Sequence, residues 1–324
     1  MRKLESKPKI LRHPVHGVLL LDKPIGLSSN NALQRCKWLL RAEKAGHTGT
    51  LDPLATGVLP LCFGAATKFS QLQLDADKTY EATIRLGVKT STGDAEGEVI
   101  EERPVAPITA SRLSEVAKQF TGSLRQLPPM YSALKKEGKP LYEYARAGEE
   151  VERQARDVIV RSLQLAAVPG VPNEIKLLAT VSKGTYIRTL GEDIADALDC
   201  GGHLASLRRI ATGNFDISQC TTLAGLEAMS EDERASRLKP VNSLLPDHSS
   251  ITLDKENAGR FLSGLRRRGD WPDNENIAVY GPSTGPGAAS KAALLGTAHA
   301  RGGELIPDRL LSPVEVAQIL EGKP

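Results

Sequence analysis

The chain lacks the features that mark several large classes of protein. No apolar run approaches the roughly 20 residues that a membrane-spanning helix needs. The longest near the start, Val18 to Leu21, follows a basic segment and is too short even for a secretory signal core. A cytoplasmic protein that makes no membrane contact is therefore expected. Four cysteines are present (Cys36, Cys62, Cys200 and Cys220), and no pair has CxxC spacing. That argues against a zinc ribbon or a thioredoxin-type site and for reduced, mostly buried thiols. The six histidines do not cluster and no HExxH occurs, so nothing supports a metal centre. Neither a GxxxxGK[ST] loop nor a GxGxxG turn is found, which removes the P-loop and Rossmann readings. A GxSxG elbow and a catalytic-cysteine signature are missing too. No strong charge of either sign is present: 42 basic residues face 39 acidic ones, a net +3.

What is present fits a folded protein of about two domains. The 324 residues are 40% hydrophobic and 25% charged, ordinary values for a globular chain. The charge is uneven. Residues 1–14 carry Arg2, Lys3, Lys7, Lys9 and Arg12 against Glu5 alone, leaving the remainder close to neutral. That tail reads either as a solvated terminus or as a segment that touches RNA. A protein with so little bulk charge must meet a polyanion through local patches.

Gly17 to Gly26 reads as a short buried strand ending in a turn, and Ser28 or Ser29 can cap a helix through about Leu40. The basic residues Arg35, Lys37, Arg41 and Lys44 form either its wet face or a phosphate patch. Residues 45–57, with three glycines and a proline, make a long defined loop. Alternation over 79–87 predicts a half-buried strand with Tyr80, Ala82, Ile84 and Leu86 on one face. A polar turn at 90–96 and a helix closed by Gly122 follow. The stretch 127–148 shows little regular pattern, yet it holds half of the six tyrosines among basic residues, a combination suited to stacking on bases and meeting phosphates. Strands are expected near 157–168 and 174–182, then a helix ending near Cys200. If 182–188 is extended, Tyr186 and Arg188 face one side. A boundary near 238–250 precedes a small β-rich module with a short helix at about 254–265, strands at 276–280 and 292–299, the run Arg266–Arg268 and a flexible Gly/Pro loop at 281–287.

One carboxylate stands out. Asp52 lies in a Gly-flanked loop beside His47, and Pro53 biases it towards an extended backbone. On local chemistry alone such an Asp-Pro pair is first of all an ordinary turn, and a positioned acid, base or nucleophile only second.

The segment Gly46-His-Thr-Gly-Thr-Leu-Asp-Pro-Leu-Ala-Thr-Gly57 resembles the catalytic loop of the TruB family of RNA pseudouridine synthases. Gly17-Val-Leu-Leu-Leu-Asp-Lys-Pro24, Ala66-Thr-Lys-Phe69, Lys78-Thr-Tyr80, Pro128-Pro-Met-Tyr-Ser-Ala133, Lys183-Gly-Thr-Tyr-Ile-Arg188 and His203-Leu-Ala-Ser-Leu-Arg-Arg209 match further family segments in order, over roughly residues 15–240. The resemblance is to the bacterial branch that works without guide RNA. It implies an α+β fold, with a catalytic domain (15–246) on a mixed, mainly antiparallel sheet and a small PUA-like barrel (247–324) that binds RNA. It implies isomerisation of a uridine in the tRNA T-loop, by breaking the C1′–N1 bond, rotating the uracil and rejoining it through C5. No cofactor or metal, tRNA as the partner, and a monomer are expected. Asp52 takes the place of the family's catalytic aspartate, Arg188 that of its ion-pair partner, and Tyr80 that of the residue stacking on the target base. Tyr186 and Leu207 match pocket-lining residues, and His47 matches the histidine entering the vacated T-loop. Residues 127–148 correspond to a thumb over the RNA, while Lys23 and Lys68 are expected as pocket or phosphate contacts. Without the family, Tyr80 reads as core, Arg188 as a structural ion pair and His47 as a loop hydrogen-bonder. A non-catalytic binder that helps tRNA fold is the alternative, and the two roles can coexist.

Overall fold

The computed structural model describes residues 11–284 and 291–322, so most of the basic tail and residues 285–287 of the Gly/Pro loop lie outside the described residues. The strand at the start of the chain organises the rest. β1 (Gly17–Lys23) is buried almost throughout, because its two faces feed two different cores. Leu19 and Leu21 join the core that also takes in Leu51 and Ala55, whereas Val18 and Leu20 join the core shared with the C-terminal sheet. A strand covered on both faces needs a continuous apolar run rather than alternation, and Val18 to Leu21 supplies one.

The large sheet continues with β2 (Ala45–His47), β3 (Ala55–Phe63), β4 (Lys78–Leu86), β5 (Gly122–Gln126), β6 (Arg156–Ala167), β7 (Glu174–Val181), β8 (Gly202–Thr212), β9 (Phe215–Asp216) and β10 (Thr221–Thr222). Its order is β10-β1-β3-β8-β4-β7-β6-β5, with β2 beside β3 and β9 beside β8. The β1–β10 and β3–β8 ladders are parallel and the others antiparallel, the mixed, mainly antiparallel sheet expected. Along β4 the expected alternation holds, with Tyr80, Ala82, Ile84 and Leu86 buried against the helices. Three helices cover that face: α1 (Ser29–Leu39), capped by the Ser28 side chain on the Asn31 N–H, α2 (Ala110–Gln119) and, after a further short helix, α3, at Leu141–Arg146, the long α4 (Ile187–Ala197). Two of the four cations on or after α1 are neutralised, Arg35 by Glu227 and Arg41 by Glu231, each at 2.7 Å.

Several expectations need correction. Residues 127–148 are not irregular: a tight hairpin (135–136 with 139–140) leads into α3. Nor is 182–188 extended, because Tyr186 caps α4 and Arg188 lies in its first turn, so the two side chains do not share a strand face.

A five-stranded sheet, β11 (Ser249–Thr252), β12 (Arg267–Arg268), β13 (Asn274–Thr284), β14 (Lys291–Arg301) and β15 (Glu304–Leu310), curls into a half-barrel in the order β11-β13-β14-β15-β12. It is flanked by α5 (Lys255–Leu262) and α6 (Pro313–Leu320). Its β13 and β14 are longer than the sequence signal, and residues 281–284 continue β13 rather than opening a loop. Arg266 and Arg268 pair with Glu304 at 3.4 and 3.2 Å. In the 238–250 segment Val241, Leu244 and Leu245 are buried and Lys239 exchanges backbone hydrogen bonds with Val18.

Lys68, expected near the substrate, instead ties the two sheets together. It closes a 3-10 turn (Gly64–Lys68), and its Nζ donates to Leu310 O (2.9 Å) and Glu315 Oε2 (2.6 Å). Glu315 also completes the capping box of α6 with Ser312. Burial pushes its carboxyl up, but the hydrogen bonds from Lys68 and Ser312 outweigh that and hold it below the usual range. Glu315→Ala is therefore expected to lower stability by about 1–3 kcal/mol, as a lost cap and a lost charge-assisted bond together cost. In a wild-type pH series, this contribution is present at neutral pH and disappears as acid protonates the depressed carboxyl. Equal stabilities of wild type and variant at neutral pH would refute the assignment.

Candidate active site

The loop from Thr48 to Leu54 joins β2 to β3, an interior strand of the large sheet, and three devices fix it. Ser29, buried in the first turn of α1, donates its hydroxyl to Leu51 O (3.0 Å) and accepts from Leu51 N–H (2.7 Å). Arg209, 1% exposed, donates Nε to Val58 O (2.7 Å) and Nη2 to Gly49 O (3.4 Å). Gly57 lets β3 approach β8 closely: its φ is +101°, and a Cβ there would lie 2.1 Å from Arg209 O. These contacts present Asp52 at the loop's crest.

Asp52 Oδ2 lies 2.9 Å from Nη2 of Arg188. The Arg188 side chain is 5% exposed and makes every other contact inward: Nη1 donates to Thr92 O (3.0 Å), Nη2 to Tyr131 O (2.6 Å), and Asp94 Oδ2 stands 3.6 Å from Nη1. Asp94 is itself buried and anchored, accepting from Thr92 Oγ1 (2.6 Å) and Glu96 N–H (3.1 Å). One buried guanidinium thus sits between two carboxylates. Although 37% of the Asp52 side chain is accessible, the surrounding protein pushes its pKa up; Arg188 opposes that and Asp94 adds to it. Sequence reasoning missed Asp94, which sits in the polar turn after β4. It missed Gln126 as well, whose buried side chain clamps the Tyr186 backbone through both its amide atoms. Neither residue carries a local signal; only the fold brings them here.

Two open cavities, of about 810 and 920 Å³, meet at Asp52 and Arg188. Tyr80, Tyr186 and Leu207 line the first, and His47, Tyr131, Tyr142 and Arg146 the second, while Ser132 and Ala133 of the thumb segment line both. The structure therefore gathers Asp52, Arg188, Tyr80, Tyr186, Leu207 and His47 around one point. Burial, then the nearby Arg209, lower the His47 pKa and favour the neutral ring, whose Nδ1 is buried without a hydrogen-bond partner. Lys23 and Lys68 do not join them. Lys23 is fully buried and donates to the carbonyls of Pro24 and Leu27; it shapes the turn before α1 and reaches Asp52 through its charge. Burial lowers its pKa to about 8 despite the nearby Asp52. Among the described residues no group of histidine, cysteine and acidic side chains is arranged to hold a metal ion.

The fold is that of the pseudouridine synthases. A chain in the crystal structure of a Cbf5-Nop10-Gar1 complex superposes with a TM-score of 0.66 over 93% of this chain and 87% of that one, at 23% identity, a likeness of fold. The sequence narrows this. Residues 37–187 match the N-terminal domain of the TruB family of pseudouridylate synthases, and residues 188–246 match the tRNA pseudouridylate synthase B C-terminal domain. Curated relatives called tRNA pseudouridine synthase B are 59% identical in Verminephrobacter eiseniae (98% of this chain, 96% of the relative) and 54% in Ralstonia pickettii (93% and 95%). The chain belongs to the TruB family.

Ser29→Ala is expected to destabilise the protein by roughly 2–4 kcal/mol, because it strands a buried N–H and a buried carbonyl of Leu51 together. Asp52 should lose its fixed position with them. Chemical denaturation and reactivity of the Asp52 loop to limited proteolysis would check this; an unchanged midpoint and cleavage pattern would show that the loop holds without Ser29.

Proposed function

We propose that this protein isomerises a uridine in the T-loop of tRNA to pseudouridine, with Asp52 as the catalytic group and neither metal nor cofactor. The observation that carries the reading is the Asp52–Arg188 ion pair at the junction of two cavities, one floored by Tyr80 and Leu207 and the other edged by His47. The names of its relatives, synthases acting on tRNA, support the substrate. A base inside a folded loop must leave its stack before C1′, N1 and C5 are accessible, at a cost of a few kcal/mol. Tyr80 offers a face to the extruded uracil and neutral His47 an uncharged ring for the space it leaves. The half-barrel from about residue 247 extends the RNA-binding surface, and the protein works as a cytoplasmic monomer without guide RNA.

Arg188 gives Asp52 a working charge state. Burial favours the protonated acid, and the guanidinium opposes that shift while offering a fixed donor. The ionised form does the chemistry, so activity falls as pH drops through the raised pKa.

Unmodified tRNA transcript tritiated at C5 of uridine tests the reading. Wild type should release tritium from the T-loop uridine, and Asp52→Asn should release none while binding tRNA within about tenfold of wild type, a difference under ~1.4 kcal/mol. Loss of binding in parallel with activity would make Asp52 structural, and a folded, tRNA-binding wild type that releases no tritium would leave a tRNA-folding role instead.

The same three charges also set the pH profile. Asp94→Asn removes an anion that raises the Asp52 pKa, so the acidic limb of turnover should move to lower pH. Arg188→Gln removes the opposing cation and should move the limb to higher pH. Limbs that stay in place in both variants would disconnect Asp52 from the observed titration.

A further inference from the structure

Beyond the ion pair, the two cavities differ in charge. The first is lined by five basic side chains and three carboxylates, and the second by two arginines and four carboxylates. An RNA strand whose base enters at Asp52 therefore meets a favourable potential for its phosphates on the Tyr186 side and an unfavourable one on the His47 side.

On that favourable side, four of the five cations are already engaged. Lys183 pairs with Asp75 at 2.7 Å, and Lys78 donates to the carbonyls of Gln73, Leu74 and Ala76 at the end of a short helix. Arg188 holds the two aspartates, and Arg209 is taken up by the carbonyls of Val58 and Gly49. Arg156 differs. It opens β6 at the cavity wall, and its guanidinium carbon lies 5.1 Å from the centre of the Tyr186 ring. Among the described residues it makes neither an ion pair nor a hydrogen bond through its side chain. The chain also makes room for it: Gly184, at φ +79°, would place a Cβ only 3.1 Å from Arg156 Nη1. A stacked guanidinium keeps its donors in one plane and forfeits little entropy when they engage, and a planar fork matches two phosphate oxygens.

We infer that Arg156 is a phosphate-binding residue, taking one backbone phosphate of the RNA strand beside the extruded nucleotide. Tyr186, two residues before Arg188, holds the guanidinium by its ring face while the same ring lines the cavity. The contact fixes how deeply the strand enters, with the sugar of the target nucleotide drawn towards Asp52. This inference rests on the proposed RNA substrate.

The test is tRNA binding by the full chain across a salt series. Arg156→Gln keeps a planar side chain without the charge, and its affinity at low salt should fall roughly tenfold. The plot of log affinity against log salt should become shallower by about 0.7–0.9, the signature of one lost phosphate contact. Arg156→Lys should recover the slope but only part of the affinity, since a point charge cannot fork or stack as the guanidinium does. Thermal melts confirm that both variants fold. An unchanged slope in folded Arg156→Gln overturns the assignment, as does lost turnover at saturating tRNA with binding and slope intact, which would mean that Arg156 acts only by holding Tyr186. Tritium release by wild type, measured on the same transcript, tests the proposed function separately.

Discussion

The architecture converges on one buried cation. Arg188 reaches from the first turn of α4 to four acceptors that arrive from three other parts of the chain: Asp52 on the β2–β3 loop, Asp94 and Thr92 O on the turn after β4, and Tyr131 O at the base of the thumb segment. A guanidinium cannot shed its charge, so a buried one is tolerated only if its donors are met. That requirement couples the segments. The α4 register, clamped through Gln126 and Tyr186, the polar turn and the thumb must all be in place before the cation is satisfied, and once it is, Asp52 has a single orientation. Burial and the second carboxylate, Asp94, both push the Asp52 pKa above the usual carboxylate range, and the shared cation opposes them.

The loop bearing Asp52 shows the same economy. Its seven residues form no hydrogen-bonded ladder of their own, yet helix α1 holds it from one side through Ser29 and strand β8 from the other through Arg209. The glycines have separate tasks. Gly57 admits the backbone of β8, and Gly49, at φ +79°, turns the chain over the Arg209 side chain. A carboxylate on such a loop is exposed to substrate while its backbone is as constrained as that of a strand.

Much of this was legible in the chain itself. The alternation in β4, the apolar run of β1 and the Ser28 cap were readable because each is a local pattern with one dominant physical cause. The motif resemblance led to Asp52, Arg188, Tyr80, Tyr186, Leu207 and His47, which the fold does bring together. Its reach ended where a lysine's surroundings decide its use. Lys23 and Lys68 sit in motif segments beside the site, but one is fully buried against carbonyls and the other turns to Glu315. The condition that 182–188 be extended is not met, because Gln126, 60 residues away, satisfies the backbone of Tyr186 and lets the helix begin there. Asp94 was invisible for the same reason, since an aspartate in a Thr/Gly turn looks like a turn-former until a distant arginine is placed against it.

The double-sided burial of β1 has a consequence for how the half-barrel serves the site. Val18 and Leu20 share a core with Phe261, Val279 and Leu295, while Leu19 and Leu21 lie in the core beneath the Asp52 loop. The C-terminal sheet is therefore not tethered by a flexible segment but keyed to the same strand that supports the chemistry, with Lys68–Glu315 and His16–Gln318 as polar ties at the seam. Large relative rotation would expose apolar surface on β1, and burying such surface is the main favourable term in holding any two layers together. An RNA arm that contacts both parts meets them at one fixed spacing, so the half-barrel can contribute to where the target nucleotide lies as well as to how tightly the RNA is held.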